Sequence, residues 1–242
     1  MKTFALILPI ALLWSLLHFG RQAPVDSNPL NTVLKKMDTA AANFRTTQAE
    51  FEWDNYEKVI DEVDNVQTGT IYYRRTGKEI EMMADVKKEG SDLKNLKSKP
   101  KYVLFSQGKV RMYQPIPDQV TVIDLSKDRS IESYVVLGVG GSGEDLLKTF
   151  DVTYVGPETI AGVATAKLQL VPKSEKVRNT YHRIFLWIDL GKGISVQQQF
   201  FTLQEDYRLV KYSNIQVNEK KIPDDVFKLK TTDKTQTISP RG

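Results

Sequence analysis

Along most of the chain apolar and polar residues alternate with a period of two, and this limits the fold more than any motif does. In "TQAEFEW", Ala49, Phe51 and Trp53 alternate with Gln48, Glu50 and Glu52. Successive side chains of an extended strand point to opposite faces, so such a run buries one face and wets the other. The pattern recurs in "GTIYYRR", "KEIEMMADV", "KYVLFSQGKVRMYQP", "DQVTVIDL", "DVTYV", "ATAKLQLVP", "HRIFLWIDLGKGISVQQQFFT" and "DYRLVKYSNIQVN". Short turn sequences ("SQGK", "AGV", "DLGKG") join many of the runs, and such connections make hairpins and an antiparallel sheet. About ten to eleven strands of this kind predict a mainly β (α+β) chain: an incomplete, strongly curved antiparallel barrel rather than a doubly wound fold.

Two stretches break the alternation. "DSNPL" offers Asn28 as N-cap and Pro29 at the first helical position; Leu30, Val33, Leu34, Met37, Ala41 and Phe44 then recur at three- and four-residue steps, which predicts an amphipathic helix. The second stretch runs from Ser130 to Phe150. Helices of this kind need an apolar surface to cover. The alternation assigns that surface to Ile80, Met82, Leu104, Met112, Val122, Leu186, Val196 and Phe200. A curved sheet so lined either packs solid against its helices or encloses a hydrophobic cavity, and the residues leave both open.

Residues 1–23 differ from the rest, with Lys2 ahead of an apolar run from Phe4 to Phe19. The run is short for a membrane span and typical of an export signal. No clean small-x-small pair follows it, so the segment reads as a signal peptide or an uncleaved signal anchor, and residues 24–242 as one exported domain. The chain has no cysteine, which excludes a lipobox and leaves stability to the core alone. With Lys2 and Arg21 set aside, 32 basic residues face 30 acidic ones, a balance that argues against nucleic acid as a partner.

"YVVLGVGGSGEDLL" places Gly138, Gly140 and Gly143 in the G-x-G-x-x-G spacing of a dinucleotide loop. That site requires a βαβ unit, whereas a hairpin pattern follows here. Glu144 and Asp145 already occupy the turn that would receive a phosphate, and Ser142 with Asp145 resembles a capping box. The expected role is a joint between two short helices, the first from about Ser130 to Leu137. Only His18 and His182 are present, too few for a metal cluster or a histidine-based triad. The acidic run Asp54, Glu57, Asp61, Glu62 and Asp64 reads as a solvated rim. Lys87, Lys88, Lys94, Lys97, Lys99 and Lys101 fall in one connection, a solvated loop or a surface for an anionic membrane or an acidic partner. No catalytic residue, metal or cofactor is expected.

Several strings, taken in order, resemble the LolA family of periplasmic carriers of outer-membrane lipoproteins. "LNTVLKKMDTAAANFRTTQAEF" is similar to the family's opening helix and first strand, "GTIYYRR" to its G-x-L-x-V-K-R-P strand, "VLFSQGKVRMYQPIPDQVTV" to its L-V-S-D-G-K-x-L-W-x-Y-x-P…Q-V segment, and "NEKKIPDDVFKLK" to its N-x-x-L-P-D-x-x-F-x-F close. The resemblance implies an open barrel whose helices act as a lid over a cavity for the acyl chains of lipoproteins. It also implies an inner-membrane lipoprotein-releasing transporter as donor, an outer-membrane receptor as acceptor, and a monomeric carrier. The family's latch arginine, which bonds the lid in the empty state, falls on Arg75, and the glycine loop falls among the lid helices as a hinge. A lipid sensor or glycolipid carrier on the same half-barrel, and a membrane-anchored envelope scaffold with a solid core, are the alternative readings.

Overall fold

The structure, a computed structural model, describes residues 28–77, 79–126, 137–219 and 221–239. The export segment, and most of the helix expected before Gly138, lie outside these residues. One twelve-stranded sheet dominates. Its strands are β1 (Thr46–Glu57), β2 (Glu62–Thr76), β3 (Glu79–Gly90), β4 (Lys97–Ser106), β5 (Lys109–Gln114), β6 (Gln119–Asp124), β7 (Phe150–Ile160), β8 (Val163–Pro172), β9 (Arg183–Asp189), β10 (Ser195–Phe201), β11 (Tyr207–Val217) and β12 (Gln236–Ile238). The spatial order is β12-β6-β5-β4-β3-β2-β1-β11-β10-β9-β8-β7. Every neighbouring pair is antiparallel except β12 and β6, which are parallel. The two ends of the sheet do not pair, so the barrel stays open, as the alternation predicts. β7 forms one edge and is bulged between Tyr154 and Gly156.

Among the described residues three helices accompany the sheet: α1 (Pro29–Asn43), α2 (Gly143–Thr149) and the one-turn α3 (Glu175–Arg178), with a 3-10 turn at Asp224–Phe227. The Asn28 carboxamide caps α1 by accepting from the Leu30 N–H at 3.0 Å, as the sequence predicts. The apolar stripe of α1, Val33, Leu34 and Met37, is buried against Leu168, Leu170, Ile184, Leu186 and Ile188 of β8 and β9, together with Leu146 and Phe150. These strand residues are fully buried and the cluster is solid. Each such side chain removed from water stabilises the fold by about 1.5–3 kcal/mol.

Directly opposed residues of an antiparallel pair share a face, so the registers assign every strand residue to the helix-covered face or to the opposite one. On the covered face, beyond α1, a second cluster joins Phe51, Ile71, Tyr73, Met82, Val86 and Phe105 to Phe44, Leu125 and Val139. On the opposite face, Met83 and Leu104 are packed beneath Ile222 and Phe227 of the C-terminal segment.

Three of the expected lining residues are corrected by these registers. Leu104 belongs to the opposite face, under Phe227. Val122 faces Arg111, which in turn faces Leu104, so it lies on that side too. Val196 sits at a bulge between Ser195 and Gln197 and borders a groove with Gln197, Lys211 and Glu52 instead of a cavity under the helices. Leu186 does lie on the covered face, but inside the solid cluster beneath α1. In the acidic run, Asp54 is buried rather than solvated, and Lys211 donates to it at 2.9 Å on the opposite face.

Candidate functional site

Alternation along β2 puts Ile71, Tyr73 and Arg75 on the covered face and Tyr72 and Arg74 on the other. The two arginines consequently have unrelated surroundings. Arg75 Nη2 donates to the Gly140 carbonyl at 3.1 Å and to the Ala41 carbonyl at 3.4 Å, with its guanidinium 5.7 Å from the Phe44 ring centroid. One side chain thereby ties the last turn of α1 and the glycine loop to the end of β2. Arg74 forms ion pairs with Glu81 at 2.6 Å and Asp224 at 2.5 Å, and lies 4.1 Å from the Phe227 ring centroid, pinning the C-terminal segment.

The glycine loop is placed by close packing. Gly140 has φ +74, and a Cβ there meets the Phe44 ring at 2.8 Å and Ile80 Cδ1 at 3.0 Å. Gly138 accepts from Ser195 N–H at 2.8 Å, and Gln198 Nε2 donates to Leu137 O at 2.6 Å, so the loop is stitched to β10. At Gly143 a Cβ falls 2.7 Å from Leu34 O, the point where α2 abuts α1. The amides at the start of α2 are engaged by the protein itself: Asp145 N–H donates to Ser142 Oγ at 3.0 Å and Glu144 N–H to Asp38 Oδ1 at 3.2 Å. These two amides of the first turn of α2 are therefore not available to a phosphate. Replacing Gly140 with Ala should cost about 1–3 kcal/mol through left-handed strain and the Phe44 clash. Gly77, with φ +63 and no atom within 4 Å of its built Cβ, supplies the control. Urea denaturation of both variants checks this; equal losses would assign the whole effect to backbone strain.

Between Arg75 and the far ends of the strands, the covered face of β1 to β5 is aliphatic and aromatic. Ile80 and Met82 belong to this cluster, Phe200 bridges it to the cluster beneath α1, and Met112 joins it opposite Val103. Tyr73 and Tyr212 hydrogen-bond one another within it; burial raises the Tyr73 hydroxyl well above its ordinary value and the Tyr212 hydroxyl to about 12.

Further from Arg75 the same face turns polar, which sequence reasoning missed. Gln67 faces Trp53 and Glu89, and Asn55 faces both Asn65 and Arg208. Asn55 and Gln67 both donate to Asn65 Oδ1, at 3.3 and 3.1 Å, and Asn65 donates to Glu89 at 3.2 Å. Lys99 reaches Glu89 at 2.6 Å and Lys101 at 3.8 Å. Burial acts to raise the Glu89 carboxyl, yet hydrogen bonds from Lys99 and Asn65 outweigh it and hold the group below its usual range. Burial lowers the Lys101 ammonium, and Glu89 offsets this in part. Trp53 Nε1 is buried and has no hydrogen-bond partner among the described residues. Also among the described residues, no group of three His, Asp or Glu is placed to hold a metal ion, and no helix is long and apolar enough to cross a membrane.

The described residues form an open antiparallel half-barrel with helices across one face, the architecture that the resemblance to the LolA family implies. The chain is similar over 88% of its length to the whole (100%) of a conserved uncharacterised protein from Thermus thermophilus, with TM-score 0.54 and 9% identity, a likeness of fold alone. It is also similar to a LolA superfamily protein from Nitrosomonas europaea, at TM-score 0.40 and 12% identity, covering 83% of this chain and 97% of that one. A further similarity is to the MucA/MucB complex of Pseudomonas aeruginosa, at TM-score 0.48 and 11% identity, covering 82% of this chain but only 60% of the matched one. No family model and no curated protein matches the sequence.

Proposed function

We propose that this chain is a non-enzymatic carrier of acylated ligands in the periplasm, exported by its first 23 residues and acting as a monomer through the single domain 24–242. The observation that carries the reading is Arg75, which fastens the end of α1 and the glycine loop over the second cluster of the covered face. Under α1 the core is solid. Over β1 to β5, the apolar cluster that includes Ile80 and Met82 is met, among the described residues, by Phe44, Leu125 and, from the glycine loop, Val139, with Arg75 fastening that end. In this reading the cover opens by breaking the Arg75 hydrogen bonds and withdrawing Phe44 and Val139 from the cluster. Gly138, Gly140 and Gly143 are the proposed hinge, and Arg75 the latch of the empty state.

In the finer form of this reading, the ligands are lipoproteins taken from an inner-membrane releasing transporter and given to an outer-membrane receptor. Burying acyl chains is worth about 0.8 kcal/mol per CH₂, so release requires either lid closure or an acceptor whose cavity fits better. The solid cluster beneath α1, with Leu168, Ile184 and Leu186 at 0% exposure, favours the rival reading of an envelope scaffold. Two measurements separate the readings. Mass spectrometry of the gently purified protein should detect acyl chains, and an environment-sensitive apolar dye should bind it stoichiometrically. Met82→Glu should abolish dye binding while the circular dichroism spectrum is kept; absence of acyl chains together with unchanged dye behaviour in this variant would establish the scaffold.

A further inference from the structure

The hairpin turns at the two ends of the sheet differ in chemistry. At the Arg75 end they are built on Gly77, on Gln107 with Gly108, on Ala161 with Gly162 and on Gly191 with Gly193, and no described residue there is an exposed large aliphatic. At the other end, Val59 and Ile60 in the β1–β2 turn are 93% and 57% exposed, and Leu203 in the β10–β11 turn and Leu93 in the β3–β4 turn are each 56% exposed. Ile116, in a β5–β6 turn set back along the strands, is exposed too. Turns favour Gly, Pro, Asn, Asp and Ser, so large aliphatic side chains kept in water on successive turns call for a reason. The three hairpins β10–β11, β1–β2 and β3–β4 are neighbours in the sheet, and strands about 4.8 Å apart set their turns about 10 Å from one another.

Many polar groups of these turns are engaged within the chain. The Lys58 N–H donates to Asp206 Oδ1 at 2.8 Å and the Tyr56 and Tyr207 rings stack at 4.4 Å, which holds the β1–β2 and β10–β11 turns side by side. The Tyr56 hydroxyl donates to Asp61, and Glu205 pairs with Arg183 at 2.7 Å and with His182 Nε2 at 3.1 Å. In the β3–β4 turn Asp92 accepts from the Lys94 and Asn95 N–H groups at 2.8 and 3.1 Å. The aliphatic side chains are thus presented on turns that are held in place. In the three turns Lys58 and Lys94 stand beside Asp61, Asp92, Glu205 and Asp206, and the strand ends add Glu57, Glu62 and Glu89 against Lys97 and Arg208. This rim has no cation surplus, and its acidic balance suits a head-group layer without net charge rather than an anionic one.

We propose that these three turns dock the protein on a bilayer of zwitterionic lipid, with Val59, Ile60, Leu93 and Leu203 entering the boundary between head groups and acyl chains. A fluid layer receives separate aliphatic points along a rim, whereas a folded partner would need a matching pocket for each. Interfacial segments bury their apolar side chains about 5–10 Å into that boundary, a depth that side chains at the centre of a turn can reach. The proposal goes beyond the carrier reading and does not depend on it; in a carrier it turns the end opposite Arg75 toward the membrane.

The chain has no cysteine, so one introduced cysteine carries a fluorophore at a single known place. The test labels the full chain with an environment-sensitive dye at Val59→Cys, at Leu203→Cys and, as the control at the opposite end, at Ala161→Cys; all three residues are exposed. On mixing with phosphatidylcholine vesicles, emission should rise severalfold and shift to the blue at the first two positions and stay unchanged at the third. Adding Val59→Asp with Ile60→Asp to the Leu203→Cys chain should weaken vesicle binding about tenfold or more, because two aliphatic groups leaving water are replaced by two carboxylates. The same response at all three positions, or an unchanged affinity in the doubly acidic chain, overturns the docking rim. A response confined to equimolar phosphatidylcholine and phosphatidylglycerol vesicles and abolished by high salt overturns it in favour of the lysines around Leu93. A rise with protein concentration in the absence of vesicles replaces the bilayer with a second copy of the chain, and no response at all leaves the rim without a membrane role. Each of these failures leaves the carrier reading to be decided by its own measurement, the acyl chains that co-purify with the protein.

Discussion

Changing Arg75 to Leu should leave loading with acylated cargo intact and slow its release to an acceptor about ten- to hundredfold. The side chain donates two hydrogen bonds, to the Ala41 and Gly140 carbonyls, and in the proposed carrier these break when the cover opens. Hydrogen bonds to a charged group are worth about 1.5–3 kcal/mol, and about 1.4 kcal/mol corresponds to a factor of ten. Losing them weakens the closed, empty form relative to the loaded one, so the equilibrium shifts toward retention. Transfer of an acylated peptide to acceptor vesicles measures this. Arg74→Leu is the matched control: it breaks the ion pairs to Glu81 and Asp224 on the other face, so it should lower stability without slowing transfer. If Arg74→Leu slows release and Arg75→Leu does not, the latch is misassigned.

Phe227→Ala should destabilise the protein by about 3–5 kcal/mol, the usual cost of deleting a buried aromatic side chain. Phe227 is 6% exposed, stacks against the Arg74 guanidinium and covers Met83 and Leu104. The loss should appear as a lower urea midpoint with little change in slope. A midpoint within error of the parent's would mean that the segment from Ile222 onward contributes nothing to the folded state.

Much of the fold was legible because the alternation is local. Ala49, Phe51 and Trp53 announce their shared face within seven residues, and Asn28 with Pro29 announces the start of α1. The parity of "IYYRR" was enough to separate Arg75 from Arg74 once the strand was recognised. Leu104 and Val122 were misread for a distant reason. Alternation identifies an inner face by assuming that the outer one is wet, but Ile222 and Phe227, over a hundred residues away, cover the outer face of β3 and β4. In "YVLF" both faces are apolar, so parity carries no information there. The polar end of the covered face stayed hidden for another reason. Asn55, Asn65 and Glu89 lie in stretches that read as acidic rim or lysine loop. The bulges at Thr68/Gly69 and Val86/Lys88, which reset which residues face inward, leave no mark in the pattern.

A sheet that never closes has two free margins, and each is a template on which a neighbouring molecule can add a strand. At the β12 margin the exposed ladder is only the three residues Gln236–Ile238, too short to nucleate much pairing. The other margin, β7, is eleven residues long and would be the more dangerous. There the bulge between Tyr154 and Gly156 bends the strand, and Pro157, just after it, has no N–H to offer. An incomplete barrel leaves such a margin exposed, and these few residues make the β7 edge a poor template for a neighbouring strand.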